Sequence, residues 1–434
     1  MRKISKLSLV AAVAVAGFST ANAQPLEEAI KNVEVSGSVV YRYDNSKDDR
    51  IPNTNVNGQS SDKNNYKIGM NLSSKVNDYV KFNSRFLVAN KNGGFADASS
   101  VVYTTAVNGG NTNSLDAKNG FDANPDVTLS HANFAFTGIQ NTTITAGKQG
   151  LATPWTVALD SDGNEQTGTG ILALSTVGPV TAAAGYFNQT NLDKSGNINA
   201  SDASVAKSVT GITGTTLTNN RDLGSRDIYV GALLADFSPV KLEAWYLDLA
   251  DTLDSYTLVA KADFKPSADS KLGVEARYVS LTLDHGRDLG LDSNDNEMYR
   301  LQVTGNVGIV NAKVAYTGTD KKGGLTSFDQ DAENASLGWN LTSNGVADAD
   351  HWQGVLGVNI LDNLNLSANY GSLKAKNAIT DGQKYKAEEV YGQLTYKMSK
   401  NFSTYLRYGN FEEKDGSTKI KDQDAGRLQV EYTF

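Results

Sequence analysis

Val35-Ser36-Gly37-Ser38-Val39-Val40-Tyr41-Arg42-Tyr43 is the stretch that decides the fold. On an extended chain Val35, Gly37, Val39, Tyr41 and Tyr43 share one side, while Ser36, Ser38 and Arg42 lie on the other. A period of two belongs to a strand whose faces meet different surroundings. The C-terminus repeats the device, with Leu428, Val430, Tyr432 and Phe434 alternating with Arg427, Gln429, Glu431 and Thr433. Phe402, Thr404, Leu406 and Tyr408 alternate likewise with Ser403, Tyr405, Arg407 and Gly409. No helical period stands out beyond the N-terminal segment.

Connectors of two kinds take turns between such strands. Eight are short and rich in turn formers: 76–78, 138–141, 178–179, 237–239, 265–270, 307–309, 361–363 and 398–400. Nine are mostly longer and polar: 44–64, 91–125, 149–169, 189–225, 250–253, 282–295, 319–350, 374–384 and 412–423. Together they join eighteen strands. Lipid offers no partner to an open sheet edge, so a spanning sheet closes on itself. With both termini on one side the strand number is even, and short turns and long loops segregate to opposite ends. The reading is therefore an all-β chain forming an eighteen-stranded transmembrane antiparallel β-barrel, a single domain over 24–434. Asn334 to Asn340 would make a nineteenth strand and break the parity, so it is assigned to the loop. Tyr41, Tyr43, Phe82, Phe86, Phe134, Phe136, Tyr256, Phe264, Tyr396 and Phe402 sit at strand ends, as rings at two membrane interfaces should.

Composition narrows the function classes. The chain has 434 residues, no cysteine, 40 Lys+Arg and 48 Asp+Glu. A disulfide scaffold, a thiolate-bound metal and a cysteine nucleophile are excluded. An acidic chain also lacks the charge that neutralises nucleic-acid phosphates. No apolar run reaches the ~18 residues of a membrane helix. Arg2, Lys3 and Lys6, the apolar stretch Leu7 to Phe18 and the small-residue exit Ala21-Asn22-Ala23 read as a signal peptide over 1–23. A buried core helix would not carry those flanking charges. Cleavage removes three positive charges and takes the formal charge from −8 to −11.

If the apolar faces meet lipid, Arg42, Lys67, Arg85, Arg277, Arg300, Arg407 and Arg427 point into the lumen. Five of them, Arg407, Arg427, Arg42, Lys67 and Arg85, come from consecutive strands across the closure and would form a basic stripe. They set the pore's field or are satisfied by neighbours such as Glu431. The third long connector, 149–169, holds Asp160, Asp162 and Glu165 and no Lys or Arg. Folded into the barrel, it would constrict the channel and set acids across from the basic wall; as a plain surface loop it would do neither. Asp160-Ser161-Asp162-Gly163-Asn164 and Asp292-Ser293-Asn294-Asp295-Asn296 space acids as calcium loops do, but lack the glycine at position 6 and the downstream Glu of a helix–loop–helix site. A calcium ion on clustered loop acids stays open; no other cofactor is indicated. Only His131, His285 and His351 are available for acid–base work, none at a recognisable triad spacing, and no enzyme is expected.

Pro25-Leu26-Glu27-Glu28-Ala29-Ile30-Lys31-Asn32-Val33-Glu34-Val35-Ser36-Gly37, followed by Tyr41-Arg42-Tyr43, closely resembles the start of the Campylobacter-type major outer-membrane porin family. Leu7-Ser8-Leu9-Val10-Ala11-Ala12, Ala146-Gly147-Lys148-Gln149 and the Arg427-Leu428-Gln429 end look like that family too. The resemblance implies a trimeric eighteen-stranded porin of the bacterial outer membrane with a constricting third loop. It further implies passage of ions and small hydrophilic solutes, often with cation preference, and a bound calcium ion whose ligands it does not place. The third loop departs from the family's wording at Thr153-Pro154-Trp155 and over Asp160 to Glu165.

The leading expectation is a passive diffusion porin, with acidic loops and net charge favouring cations and the lumen arginines opposing them. A substrate-specific channel differs by saturable binding of one solute class. A surface adhesin or structural barrel would use loops such as 91–125 and 189–225 as contacts and give no channels on reconstitution. The side under the short fifth connector, 250–253, has little outer cover and is the expected contact between copies.

Overall fold

Alternating faces leave every strand needing a partner on both edges, and the chain supplies them in sequence order. A computed structural model describes residues 33–49, 59–90, 94–98, 126–192, 223–284, 293–376 and 382–434. The expected signal peptide, most of connectors 91–125 and 189–225, His285 and Asp292 lie outside the described residues. Eighteen long antiparallel strands form one sheet, closed where β1 (Val33–Asp48) pairs with β19 (Thr418–Thr433). After β1 come β2 (Gln59–Lys75), β3 (Val80–Ala89), β5 (Asp126–Ile139), β6 (Thr142–Gly150), β7 (Thr167–Val177), β8 (Val180–Thr190), β9 (Ile228–Phe237) and β10 (Val240–Leu249). The far wall runs through β11 (Leu253–Ser267), β12 (Ser270–Leu283), β13 (Asp295–Val307), β14 (Val310–Thr319), β15 (Asp350–Leu361), β16 (Leu364–Lys376), β17 (Lys384–Ser399) and β18 (Phe402–Asp415). One further strand, β4 (Ala96–Ala98), belongs to the second loop and pairs only with Asn64 to Tyr66 of β2.

The short turns fall within three residues of their expected bounds, with Gly178 and Gly308 supplying the positive φ that two-residue connections need. Several long loops are shorter than their polar sequences suggest. The ninth is expected over 412–423, yet β18 and β19 keep pairing until a turn at 416–417. Glu412 pairs there with Lys414 and Lys419, and Lys419 with Asp422 at 2.7 Å. Polarity marks where lipid ends, whereas hydrogen bonding decides where a strand ends.

The outer face carries the apolar set. Leu233, Leu301, Leu406 and Val314 are all more than half exposed, a belt that water would not tolerate and lipid requires. Ring pairs flank it, including Phe82 with Phe134 at 5.1 Å and Tyr316 with Trp352 at 4.8 Å. Closure is tight at the C-terminus: the Gly37 and Phe434 backbones exchange hydrogen bonds of 2.9 and 3.0 Å. A Cβ at Gly37 would lie 2.2 Å from the Gly69 carbonyl oxygen, so only glycine lets the first two strands and Phe434 meet.

The buried apolar residues lie inside the barrel mouth. Trp155 and Leu151 of the third loop pack with Phe328 and Leu325 of the seventh loop and with wall residues such as Leu247 and Leu281. Leu341 and Val346 of the seventh loop join Leu373, Tyr385 and Phe411 in a second cluster. Two loops, 151–166 and 320–349, are thus folded into the lumen.

Candidate functional site

The third loop is held by its acids. Glu165 is 2% exposed and receives Lys67 Nζ at 2.8 Å, Arg85 Nη2 at 2.9 Å and Ser130 Oγ at 2.5 Å. Ser130 is the extra residue of a β-bulge, opposite the step from Arg85 to Phe86, and the bulge turns its hydroxyl toward the loop. Burial alone would raise the Glu165 carboxyl; the Arg85 hydrogen bonds and the two cationic charges outweigh it and hold it below the usual range. Arg42 donates to the Ser161 carbonyl at 2.5 Å and stands 3.5 Å from Asp162. Arg427 reaches Asp44 at 2.5 Å and stands 3.7 Å from the same Asp162 carboxylate. Two of the three acids expected across a gap from the basic stripe, Asp162 and Glu165, are in direct contact with it, and Asp160 is not. Asp162 alone of the three keeps a side chain 58% exposed.

The seventh loop is held by the other arginines, an arrangement the sequence reading did not anticipate. Register sets Arg277 directly opposite Arg300, and Arg407 opposite Arg427. Like charges so placed need neutral or anionic cover. Glu275 lies between the first two, 3.2 Å from Arg277 and 2.7 Å from Arg300. Arg277 also donates to Asn334 Oδ1 at 3.0 Å and to Glu333, and Arg300 donates to the Ala335 carbonyl at 2.8 Å. Trp339 covers the second pair, its ring 5.1 Å from the Arg407 guanidinium and 5.7 Å from that of Arg427. Glu389 fixes the tryptophan by accepting the backbone N–H groups of Trp339, Asn340 and Leu341 at 2.8 to 3.0 Å. A lone tryptophan in a polar run, Asn334 to Asn340, was the available signal for this contact.

The two loops also bind each other. Phe328 N–H donates to the Trp155 carbonyl at 2.8 Å and Asn334 N–H to that of Pro154 at 2.9 Å. Trp155 Nε1 donates to Ser255 at 2.7 Å, which pins the departure from the family's wording against β11. Ser161 N–H donates to Asp331, and Gln166 to Asp329 at 3.1 Å. Asp160, Asp329 and Asp331 converge at this seam, with one carboxylate oxygen from each within 4.8 Å of the others. Burial first, then the neighbouring carboxylates, pushes Asp160 up to about 6 and Asp329 up to about 7. Among the described residues no Lys or Arg pairs with these three. Hard oxygen donors without a cation suit calcium. The second calcium-like run does not join them: Asn296 turns its side chain to the Leu325 backbone instead.

His131 does meet a serine, since Ser130 Oγ lies 2.9 Å from its Nδ1. The hydroxyl is nevertheless committed to Glu165, and the carboxylate orients the serine rather than the imidazole, the wrong order for a nucleophilic triad.

Open space remains on both sides of Trp339. One recess of about 480 Å³ is lined by Arg42, Asp44, Lys63, Asp162 and Arg427. Another of about 340 Å³ is lined by Arg300, Gln302, Lys313, Glu333 and Gln353. Trp339 borders both. The arrangement is a wet barrel narrowed by two crossed loops, with charges of both signs along the gap.

Comparison with known proteins agrees with the geometry. The barrel is similar to that of Pseudomonas aeruginosa OccK5 (OpdH), with a TM-score of 0.65 and 15% identity over 93% of this chain and 98% of that one. Acinetobacter baumannii OccAB2 gives a TM-score of 0.64 and 16% identity over 92% and 98% of the two chains. P. aeruginosa OpdK, solved with vanillate, gives 0.62 and 15% over 92% and 98%. No curated protein sequence matches the chain. The family described as Campylobacter major outer membrane protein matches residues 1–434. The chain belongs to that family and forms an outer-membrane porin, a channel for small solutes.

Proposed function

We propose that the seam between the third and seventh loops is the constriction of this porin, that it favours cations, and that it holds a calcium ion. The single observation carrying cation preference is that acids cover the wall's bases: Glu165 on Lys67 and Arg85, Asp162 on Arg42 and Arg427, Glu275 and Glu333 on Arg277 and Arg300. Uncovered by opposite charge are Lys313 and Arg407 on the basic side, against the Asp160, Asp329 and Asp331 cluster and a formal charge of −8 for the chain. Such a field raises local cation concentration. Planar-bilayer recording across a KCl gradient tests this. A reversal potential of anion-selective sign removes the proposal.

Asp160, Asp329 and Asp331 would hold the ion, which neutralises their repulsion and ties one loop to the other. Calcium raises the thermal midpoint of detergent-solubilised protein and a chelator lowers it; Asp329→Asn abolishes the difference. Equal midpoints in both buffers would refute the site.

The porin works as a passive channel and as a trimer, made as a precursor cut after Ala23. Support for the trimer face comes from the outer wall near β9 to β12. There Ala235, Ala244, Ala260 and Ala276 floor a groove of about 690 Å³ between Leu233, Leu242, Leu258 and Leu301. The three-residue fifth loop, 250–252, stands above it.

A further inference from the structure

We propose that the recess on the β13 to β15 side of Trp339 is a binding subsite for small hydroxy-carboxylates; this rests on the porin reading above. Register builds the recess in three rows across these strands. Arg300, Thr317 and His351 form the first, Gln302, Ala315 and Gln353 the second, and Thr304, Lys313 and Val355 the third. All point inward, because Leu301, Val303, Val314 and Trp352 between them are exposed on the lipid side. Ala315, 1% exposed, is the small residue between Gln302 and Gln353, which both line the recess. The seventh loop closes the front with Glu333, Ser336 and Trp339.

Several unused donors gather in the recess; in the other recess exposed Lys63 also has no partner among the described residues. The other basic residues named for the lumen are all engaged, Arg407 by Gln393 Oε1 at 2.8 Å and by three rings. Lys313 makes no hydrogen bond or ion pair among the described residues, and neither do the Gln302 and Gln353 carboxamides. Gln353 as a residue is 8% exposed and lines the recess, where its amide has no partner among the described residues. Arg300 Nε is buried and unpartnered. Buried polar groups are normally satisfied, and leaving them otherwise costs free energy. An ammonium, a guanidinium N–H and two amides stand around one hollow that Asp331 and Glu333 also line, and this mixed lining suits an anionic oxygen with hydroxyl groups beside it. A carboxylate accepts from Lys313 and Arg300, while a neighbouring hydroxyl bridges the amides, each of which donates and accepts. The volume, about 340 Å³, accommodates a molecule the size of lactate with water.

The test is uptake into proteoliposomes over a range of lactate concentrations, with lactamide as the uncharged analogue of nearly the same shape. Wild-type lactate uptake saturates and lactamide uptake stays linear. Lys313→Met raises the half-saturating lactate concentration about tenfold, as expected for a lost charge-assisted hydrogen bond, and leaves lactamide uptake unchanged. Gln353→Leu raises it less. Lys313 bonds nothing among the described residues, so its variant folds, which heat-modified mobility on gels verifies. Linear lactate uptake, saturation shared equally by lactamide, or a Lys313→Met curve superimposed on wild type each overturns the subsite. KCl conductance in the same preparation separates the two levels: its absence defeats the porin reading, and its presence with linear lactate uptake defeats the subsite alone.

Discussion

Glu165 shows what one carboxylate does once two cations are buried around it. Removing its charge leaves Lys67 and Arg85 facing a neutral amide in a site closed to water. Breaking a buried pair this way costs about 3–5 kcal/mol. The barrel's ladder hydrogen bonds do not pass through Glu165, so the cost falls on loop docking. Glu165→Gln lowers the thermal midpoint in detergent and increases open-channel current noise. Asp162→Asn leaves the midpoint close to wild type, because its pairs are longer and half in water, yet moves the reversal potential toward anions by baring Arg42 and leaving Arg427 with Asp44 alone. Identical behaviour of the two variants would contradict this division. At the seam the sign with pH follows from carboxyls lifted above their ordinary range. Without calcium, protonation of Asp160 and Asp329 favours the docked loops, and that stability fades as pH rises from about 4 toward 7. Calcium competes with those protons, so its affinity rises over the same window; titrating calcium at pH 5 and pH 8 measures the slope. The sequence exposed these charges and their types. It did not expose that Glu165 and its bases touch, since their partnership spans loops and walls joined only by closure.

At the scale of elements, the strands were legible and the loops' destinations were not. Alternation is written residue by residue, so Val35 to Tyr43 and Leu428 to Phe434 announce their faces directly. Turn residues such as Gly178-Pro179 announce the short ends. The seventh loop carries no comparable code, because its burial depends on partners from β12, β13, β17 and the third loop. Gly324 and Gly338 mark the constraint only in hindsight: a Cβ there would sit 2.0 Å from the Val346 carbonyl oxygen and 2.4 Å from Glu389 Oε2. Trp339 is the loop's working contact. Trp339→Ala merges the two recesses and strips the cover from Arg407 and Arg427, each contact contributing about 0.5–2 kcal/mol. Single-channel conductance rises, and the anion share of the current rises with it. A variant with unchanged conductance would show that the narrow point lies elsewhere.

For the whole molecule, closure fixes which residues are neighbours, and the outer wall then decides how copies meet. Strand parity and loop asymmetry were readable because lipid imposes them on every segment alike. Self-association leaves a weaker mark, since any apolar wall can face either lipid or a second barrel. The β9 to β12 side differs in relief. Alanines at four neighbouring positions form a hollow between leucines, and small residues that let surfaces approach closely favour packing of protein on protein in a membrane. The chain has no cysteine, so a single introduced thiol reports without background. Leu258→Cys lies on β11 beside the hollow and is half exposed to lipid. Val39→Cys lies on β1, nine wall strands away on the opposite side and also exposed. With a short bis-maleimide in native outer membranes, Leu258→Cys yields covalent dimers, while Val39→Cys stays monomeric on denaturing gels. The reverse pattern would place the contact at the closure between β1 and β19 and leave the alanine hollow to lipid.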